Sequence, residues 1–117
     1  MSPSGAEYLR HILDEAAFIS NAVGTITREA FIADETRKRA VVRSLEIIGE
    51  AAKQVPAPIR TSHPQIEWRA MAGIRDKLIH DYFGVDYDIV WDVATRKVPE
   101  LRAEIVKILA GMEGFQE

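Results

Sequence analysis

Three side chains that can perform phosphate chemistry lie within eight residues of the chain: Arg75, His80 and Tyr82. The planar guanidinium of arginine binds phosphate oxygens through paired hydrogen bonds. Histidine exchanges protons near neutral pH, because its ordinary pKa is about 6.5. A fixed cation beside a proton-transfer group is a combination that can break a phosphate ester without a metal ion.

The spacing around Arg75 is that of an amphipathic helix, with the arginine at a position where a hydrophobic residue is expected. The core-facing stripe consists of Trp68, Met71, Arg75, Leu78 and Tyr82. A charged group that is buried alone is prohibitively costly, so it must be paired or used. The sequence leaves two interpretations open: Arg75 is a functional cation, or it forms a buried structural ion pair with Glu46 or Glu50.

On the same helix, His80 would face away from Arg75 by about 140°, at 100° per residue. Asp76 precedes His80 by four residues and could hold the imidazole and raise its pKa. A straight helix cannot direct Arg75 and His80 at one substrate. We therefore predict that the helix ends near His80 and that two copies of the protein complete the site together.

Length and composition bound the class of protein. The chain has 117 residues and a net charge of −3, and we expect a single domain over residues 1–117. No apolar run approaches the roughly 20 residues that span a bilayer and no signal peptide opens the chain, so we expect a cytoplasmic protein. The chain lacks cysteine, which excludes disulfides and a thiol nucleophile. The negative charge makes general attraction to nucleic acid weak.

Apolar periodicity and capping residues predict helices throughout, without strands. The predicted elements are a helix from Ser4 to Gly24, a short helical turn over residues 30–32, a helix from Asp34 to Pro56, a proline-containing loop, a helix from Glu67 to Tyr82 and a helix that begins at Asp86. The second long helix carries apolar residues on two faces, which indicates two packing neighbours. Pro99 should kink or split the last helix. The predicted fold is an all-α, antiparallel four-helix bundle with a short extra helix and a kinked C-terminal helix.

Several blocks of the chain resemble one known family. The spacing Arg75-x4-His80-x-Tyr82 resembles the motif of HepT-like toxins, a branch of the HEPN superfamily of helical proteins. The resemblance covers about residues 5–110. It includes the segments Leu45–Ala51, Ile66–Trp68, Ala72–Arg75, Phe83–Asp86 and Val90–Trp91. The chain departs from many relatives at Asp76, where they carry asparagine directly after the arginine.

The resemblance implies a metal-independent endoribonuclease toxin of a toxin–antitoxin pair, with an RNA substrate and composite active sites in a homodimer. His80 would be the general acid or base, Arg75 would stabilise the phosphate in the transition state, and Tyr82 would line the site. The resemblance also implies a small nucleotidyltransferase antitoxin that attaches AMP to Tyr82. Asp76 and Glu50 are candidates for a supporting role behind these three residues. The alternative is a non-catalytic helical module that binds a nucleotidyltransferase.

We predict no metal site and no cofactor. The three histidines, His11, His63 and His80, lack the i, i+4 spacing of a helical zinc site. A glycine-rich phosphate-binding loop is also missing, so AMP would come from the partner enzyme. Trp68 and Trp91 are predicted to pack in the core or an interface, with stacking on an RNA base as the alternative.

Overall fold

The computed structural model describes residues 4–80 and 84–116, with the side chains of residues 4–79 and 84–112. Its elements, in chain order, are α1 Gly5–Val23, α2 Arg28–Ala33, α3 Glu35–Gln54, α4 Ala57–Ser62, α5 Trp68–Ala72, α6 Ile74–Leu78, β1 Ile79–His80, β2 Gly84–Val85, α7 Tyr87–Asp92, a π-helical turn Val93–Lys97 and α8 Val98–Gln116. The described residues form the predicted all-α helical bundle. None of the helices in these two ranges is long and apolar enough to cross a membrane.

Side-chain caps begin α1, α2, α3 and α7, and those of α1, α3 and α7 are at the predicted positions. Ser4, Thr27, Asp34 and Asp86 each accept a hydrogen bond from a backbone N–H two or three residues later, which satisfies donors that have no partner within the helix. The N–H of Arg37 donates to the Asp34 carboxylate at 2.9 Å and lowers the pKa of that carboxyl below its ordinary value. These starts follow from local sequence, and the prediction for them is confirmed.

The core lies where α1, α3 and α8 pack together. Its fully buried members include Leu9, Ile12 and Ile19 of α1, Val41 of α3 and Ile105 of α8. The two predicted packing neighbours of α3 are α1 on one side and α5–α6 on the other.

Both tryptophans pack within the protein, as predicted. Trp68 is buried, and its indole N–H donates to the carbonyl of His63 at 3.0 Å. Trp91 is half-buried against Phe31, with 5.3 Å between ring centroids. The half-buried and buried faces of these rings therefore stabilise the fold.

The prediction of one helix from Glu67 to Tyr82 is wrong. Helix α5 ends at Gly73, α6 occupies only five residues, and the chain then turns into the short antiparallel pair of β1 and β2. In this pair Ile79 lies opposite Val85, and His80 lies opposite Gly84. The prediction that strands are absent is therefore wrong for this hairpin. The prediction that a helix ends near His80 is confirmed, since α6 ends at Leu78.

The segments after Pro56 and before Pro99 both depart from a regular helix or loop, and the sequence predicted only the second of these departures. The predicted loop after Pro56 contains α4, because proline is tolerated at the first turn of a helix, where its missing N–H has no helical partner. The predicted irregularity at Pro99 is present as the π-helical turn, in which the N–H of Val98 donates to the carbonyl of Val93. Such a turn rearranges backbone hydrogen bonds where proline cannot donate one.

We predict that Gly84→Ala destabilises the protein through its backbone alone. Gly84 has a φ of +77°, and a Cβ atom there would meet no other atom within 4 Å. The positive φ should lower the free energy of unfolding by about 1–2 kcal/mol, measured by urea denaturation. Gly111→Ala is the matched control, since it lies in α8 with equally open space. It should raise stability by about 0.5–1 kcal/mol. Equal effects of the two substitutions would contradict this account.

Candidate functional site

The site begins with a close approach between α3 and the junction of α5 and α6. A Cβ atom on Gly49 would lie 2.9 Å from the carbonyl oxygen of Met71 and 3.1 Å from the Cγ2 atom of Ile74. Only glycine leaves room for this contact, because real Cβ atoms do not approach a backbone oxygen so closely. The Gly49 backbone therefore determines how close α6, which carries Arg75, lies to α3.

Arg75 is exposed, which corrects the prediction that it lies on a buried stripe. Its side chain is 71% exposed, and its Nε atom lies 3.9 Å from the Oε2 atom of Glu46. The break at Gly73 rotates α6 relative to α5, so Leu78 continues the buried face while Arg75 does not. Glu46 was one of the two partners considered for Arg75, but the pair is long and open to solvent. Such a pair contributes little to stability.

The other two supporting candidates do not contact Arg75 within the part of the chain that the structure describes. Glu50 is exposed on α3 and pairs with Lys53 at 3.2 Å. Asp76 is exposed in the first turn of α6. Because α6 ends at Leu78, Asp76 and His80 do not share one helix. The predicted contact between Asp76 and the imidazole of His80 falls outside the described part of the structure. Glu46 is thus the carboxylate nearest to Arg75 among the described residues.

The backbone of His80 is held in the hairpin that follows α6. His80 pairs with Gly84 across the two strands, and the N–H of Asp86 donates to the carbonyl of Leu78 at 2.8 Å. Leu78 itself is fully buried, which anchors the start of the hairpin in the core. The side chain of His80 and the whole of Tyr82 lie outside the described part of the structure. Arg75 therefore lies in α6, and the backbone of His80 lies five residues later in β1.

A groove that the sequence did not predict lies beside α6. It is a cavity of about 200 Å³ between α3 on its floor, α5–α6 on one wall, and the π-helical turn and α8 on the other. Lys77 and Lys97 lie on its rim. Lys77 lies about 200° around α6 from Arg75, at 100° per residue, so the groove opens on the opposite flank of the helix. The two lysines are far apart in sequence, and no motif links them.

Comparison with known proteins assigns the family. The model of the HepT-like family, described as ribonuclease HepT-like, matches residues 12–108. A candidate RNase from Caldanaerobacter subterraneus is 48% identical over 87% of this chain and 91% of its own length. A candidate RNase from Methanocaldococcus jannaschii is 46% identical over 94% of this chain and 91% of its own length. A protein from Thermococcus cleftensis named a probable ribonuclease HepT is 41% identical over 92% and 98% of the two chains.

This all-helical bundle, with an exposed arginine before a short hairpin, thus has relatives that match it along nearly their whole lengths. The chain belongs to the HepT-like ribonuclease family. No solved structure matches the chain significantly.

The exposure of Arg75 predicts that its removal costs little stability. Arg75→Ala should lower the free energy of unfolding by no more than about 1 kcal/mol in urea denaturation, because a solvated ion pair is lost. Leu78→Ala, on the same short helix but fully buried, should cost about 2–5 kcal/mol. A loss of about 3–5 kcal/mol for Arg75→Ala would instead identify a buried structural ion pair.

Proposed function

We propose that this protein is a metal-independent endoribonuclease, the toxin of a toxin–antitoxin pair, and that Arg75, His80 and Tyr82 form its active site. Membership of the HepT-like ribonuclease family is the observation that carries the proposal. The exposed guanidinium of Arg75 supports it, because this cation has only one distant carboxylate neighbour among the described side chains and is accessible to a phosphate. The Arg-x4-His-x-Tyr spacing adds His80 and Tyr82 as the other two members of the proposed active site.

The proposed reaction is transesterification within the RNA backbone. The 2′-oxygen forms a bond to the neighbouring phosphorus, and the bond from phosphorus to the 5′-oxygen breaks, leaving a 2′,3′-cyclic phosphate and a free 5′-hydroxyl. One proton leaves the 2′-hydroxyl and one is gained by the 5′-oxygen. His80 exchanges a proton in this step, since imidazole titrates near neutral pH.

Arg75 binds the phosphate in this proposal. Negative charge accumulates on the non-bridging oxygens as the 2′-oxygen attacks, and a guanidinium forms paired hydrogen bonds to such oxygens. Lysine would supply the charge without the fixed fork geometry. The distance of 3.9 Å between Arg75 and Glu46 leaves the guanidinium free to exchange this weak contact for a phosphate.

A homodimer with composite sites is part of the proposal. Arg75 lies in α6 and the backbone of His80 lies in β1, so each copy carries both groups on one short segment. The family resemblance implies that two copies complete each site. In a composite site, Arg75 of one copy and His80 of the other act on the same phosphate. A pair of single variants then tests the arrangement, because mixed dimers retain one intact site.

Tyr82 is the proposed point of control by a nucleotidyltransferase antitoxin. Its phenol oxygen would form a bond to the α-phosphorus of ATP, the bond to pyrophosphate would break, and the phenol proton would pass to solvent. The attached AMP adds a negative phosphate next to Arg75, where it competes with RNA. Modification therefore switches off the proposed ribonuclease through charge and occupancy.

We predict that the purified protein cleaves total bacterial RNA in excess chelator. His80→Ala should reduce the cleavage rate by about 100-fold or more, the usual contribution of a general acid or base. Arg75→Lys should reduce it by about 100- to 1000-fold, because the paired donors are lost. The exposed histidine His11 on α1 provides the matched control, and His11→Ala should cleave at the wild-type rate.

Two outcomes would contradict the proposal. Cleavage that requires added divalent metal would exclude this mechanism. Unchanged toxicity and complex formation in His80→Ala would favour the alternative of a non-catalytic module that binds a nucleotidyltransferase. Mixing inactive Arg75→Ala with inactive His80→Ala should restore part of the activity if the sites are composite. Without any restoration, each site belongs to one chain.

We also predict that Tyr82 is the residue that accepts AMP. Incubation with the cognate nucleotidyltransferase and ATP should add AMP mass to the wild-type chain and abolish RNA cleavage. Tyr82→Phe should gain no mass under the same conditions, because the accepting hydroxyl is missing. Tyr8→Phe, a half-buried tyrosine of α1, is the control and should be modified like the wild type. Intact-protein mass spectrometry measures the added mass in both variants. A gain of AMP mass by Tyr82→Phe would exclude Tyr82 as the accepting residue.

A further inference from the structure

The groove beside α6 has an apolar interior and charged rims. Its aliphatic lining includes Leu45, Ile48, Met71, Ile74, Val98 and Leu101. It penetrates to α3, and at about 200 Å³ it is far larger than the small voids between packed side chains. Small-ligand sites are apolar clefts with a few polar groups at the mouth, usually of about 300–1,000 Å³, so this groove has the right lining and is somewhat smaller.

The charges on the rim are arranged in order along the groove. Gln65 donates a hydrogen bond to Glu104 at 3.3 Å and thereby joins the two walls at one end. Glu67 lies near this end on the first wall, and Glu100 lies one turn from Glu104 on the second. Lys77 and Lys97 follow further along the two walls. Each wall of the groove therefore carries at least one carboxylate and one lysine, and in chain order the carboxylates lie nearer than the lysines to the Gln65–Glu104 contact.

Four of these charged groups have no partner within the part of the chain that the structure describes: Glu67, Glu100, Lys77 and Lys97. Nearby charges on the same stretch of chain are paired, since Arg96 contacts Asp92 at 3.4 Å and Lys107 contacts Glu104 at 3.5 Å. With respect to the described residues, the rim groups are thus available to a ligand that complements both charges.

A nucleotide has the matching distribution of charge and polarity. Its phosphate is an anion for the two lysines, and the flat faces of its base suit the aliphatic walls. An exocyclic amino group on the base donates to a carboxylate, as in the pairing of Glu or Asp with the N4 amino group of cytosine. Uracil has no amino group, and its one ring donor on that edge, the N3 N–H, is flanked by two carbonyl oxygens that a carboxylate repels.

We infer that the groove binds one nucleotide of the RNA strand, with a preference for bases that carry an exocyclic amino group. This inference rests on the proposed ribonuclease function. A strand that passes Arg75 must cross the width of α6, about 10 Å, to reach the groove. The bound base is therefore a neighbour along the strand and not the base at the cleaved bond. Lys77 and Lys97 bind its phosphate, and Glu67 and Glu100 select the base.

The test measures binding to RNA that cannot be cleaved. Fluorescent oligo(A), oligo(C) and oligo(U) of equal length, with 2′-fluorine in place of each 2′-hydroxyl, lack the attacking group, so the wild-type protein can be used. We expect oligo(A) and oligo(C) to bind about tenfold more tightly than oligo(U). An oligonucleotide in which unsubstituted purine replaces each adenine lacks only the exocyclic amino group. It should bind like oligo(U).

Variants of the rim separate the two kinds of contact. The double variant Glu67→Gln/Glu100→Gln should reduce the ratio of oligo(A) to oligo(U) affinity to near one. Lys97→Ala should weaken binding to all three oligonucleotides alike and lower the slope of log affinity against log salt by about 0.7. Arg96→Ala is the matched control for Lys97→Ala, because the neighbouring Arg96 pairs with Asp92 and does not line the groove.

The outcomes distinguish this inference from the proposed function. The inference is overturned, even if the protein cleaves RNA, if oligo(A) and the oligonucleotide of unsubstituted purine bind equally. It is also overturned if Glu67→Gln/Glu100→Gln leaves the ratio of oligo(A) to oligo(U) affinity unchanged. Base discrimination by the wild type without any RNA cleavage supports the groove and contradicts the proposed reaction. Free AMP that binds the groove as tightly as oligo(A) overturns the assignment to an RNA strand and identifies a free-nucleotide site instead.

Discussion

The close contact at Gly49 is the constraint on which the rest of the site depends. With no side chain at this position, the carbonyl of Met71 and the side chain of Ile74 rest directly against α3. At this contact α5 ends, with Gly73 as its C-cap, and α6 starts at Ile74. Arg75 lies on the flank near Glu46, while Lys77 lines the groove on the other flank. The residue that packs against Gly49, Ile74, is thus followed on α6 by two chemically different flanks, one with Arg75 and one with Lys77.

The end of α6 is held more firmly than its charged residues are. Leu78 is fully buried, its carbonyl accepts from the N–H of Asp86, and the strand pair begins at the next residue. The backbone before and after residues 81–83 is therefore tied to the core at both ends. This arrangement lets the fold position the backbone of His80 without using the charge of Arg75 for stability. A charged group held only by a long, solvated ion pair can exchange that pair for a substrate at little cost in stability.

Local rules predicted the elements whose causes are local. Ser4, Asp34 and Asp86 start helices because a side-chain oxygen can reach the next free N–H groups, and this needs only neighbouring residues. The break at Gly73 was missed because the apolar spacing predicts one helix, and local sequence does not reveal that this junction packs against Gly49, 24 residues earlier in the chain. The same omission produced the error on Arg75, since the apolar stripe assumed one continuous helix. The groove was beyond prediction for a related reason: its lysines and glutamates come from walls that only the tertiary fold brings together.

The overall charge sets the conditions under which any RNA function must operate. With a net charge of −3, the protein as a whole repels a polyanion, so attraction has to come from local cations. Many cations elsewhere are neutralised by carboxylates on their own helix, as Arg39 is by Glu35 and Lys53 by Glu50. Within the described residues, Arg75 has one distant carboxylate neighbour, and Lys77 and Lys97 have no partner. Binding energy concentrated in so few contacts makes affinity depend on the fit of the strand around α6. A fit of that kind gives the proposed enzyme a physical basis for selecting among RNAs that bulk attraction would treat alike.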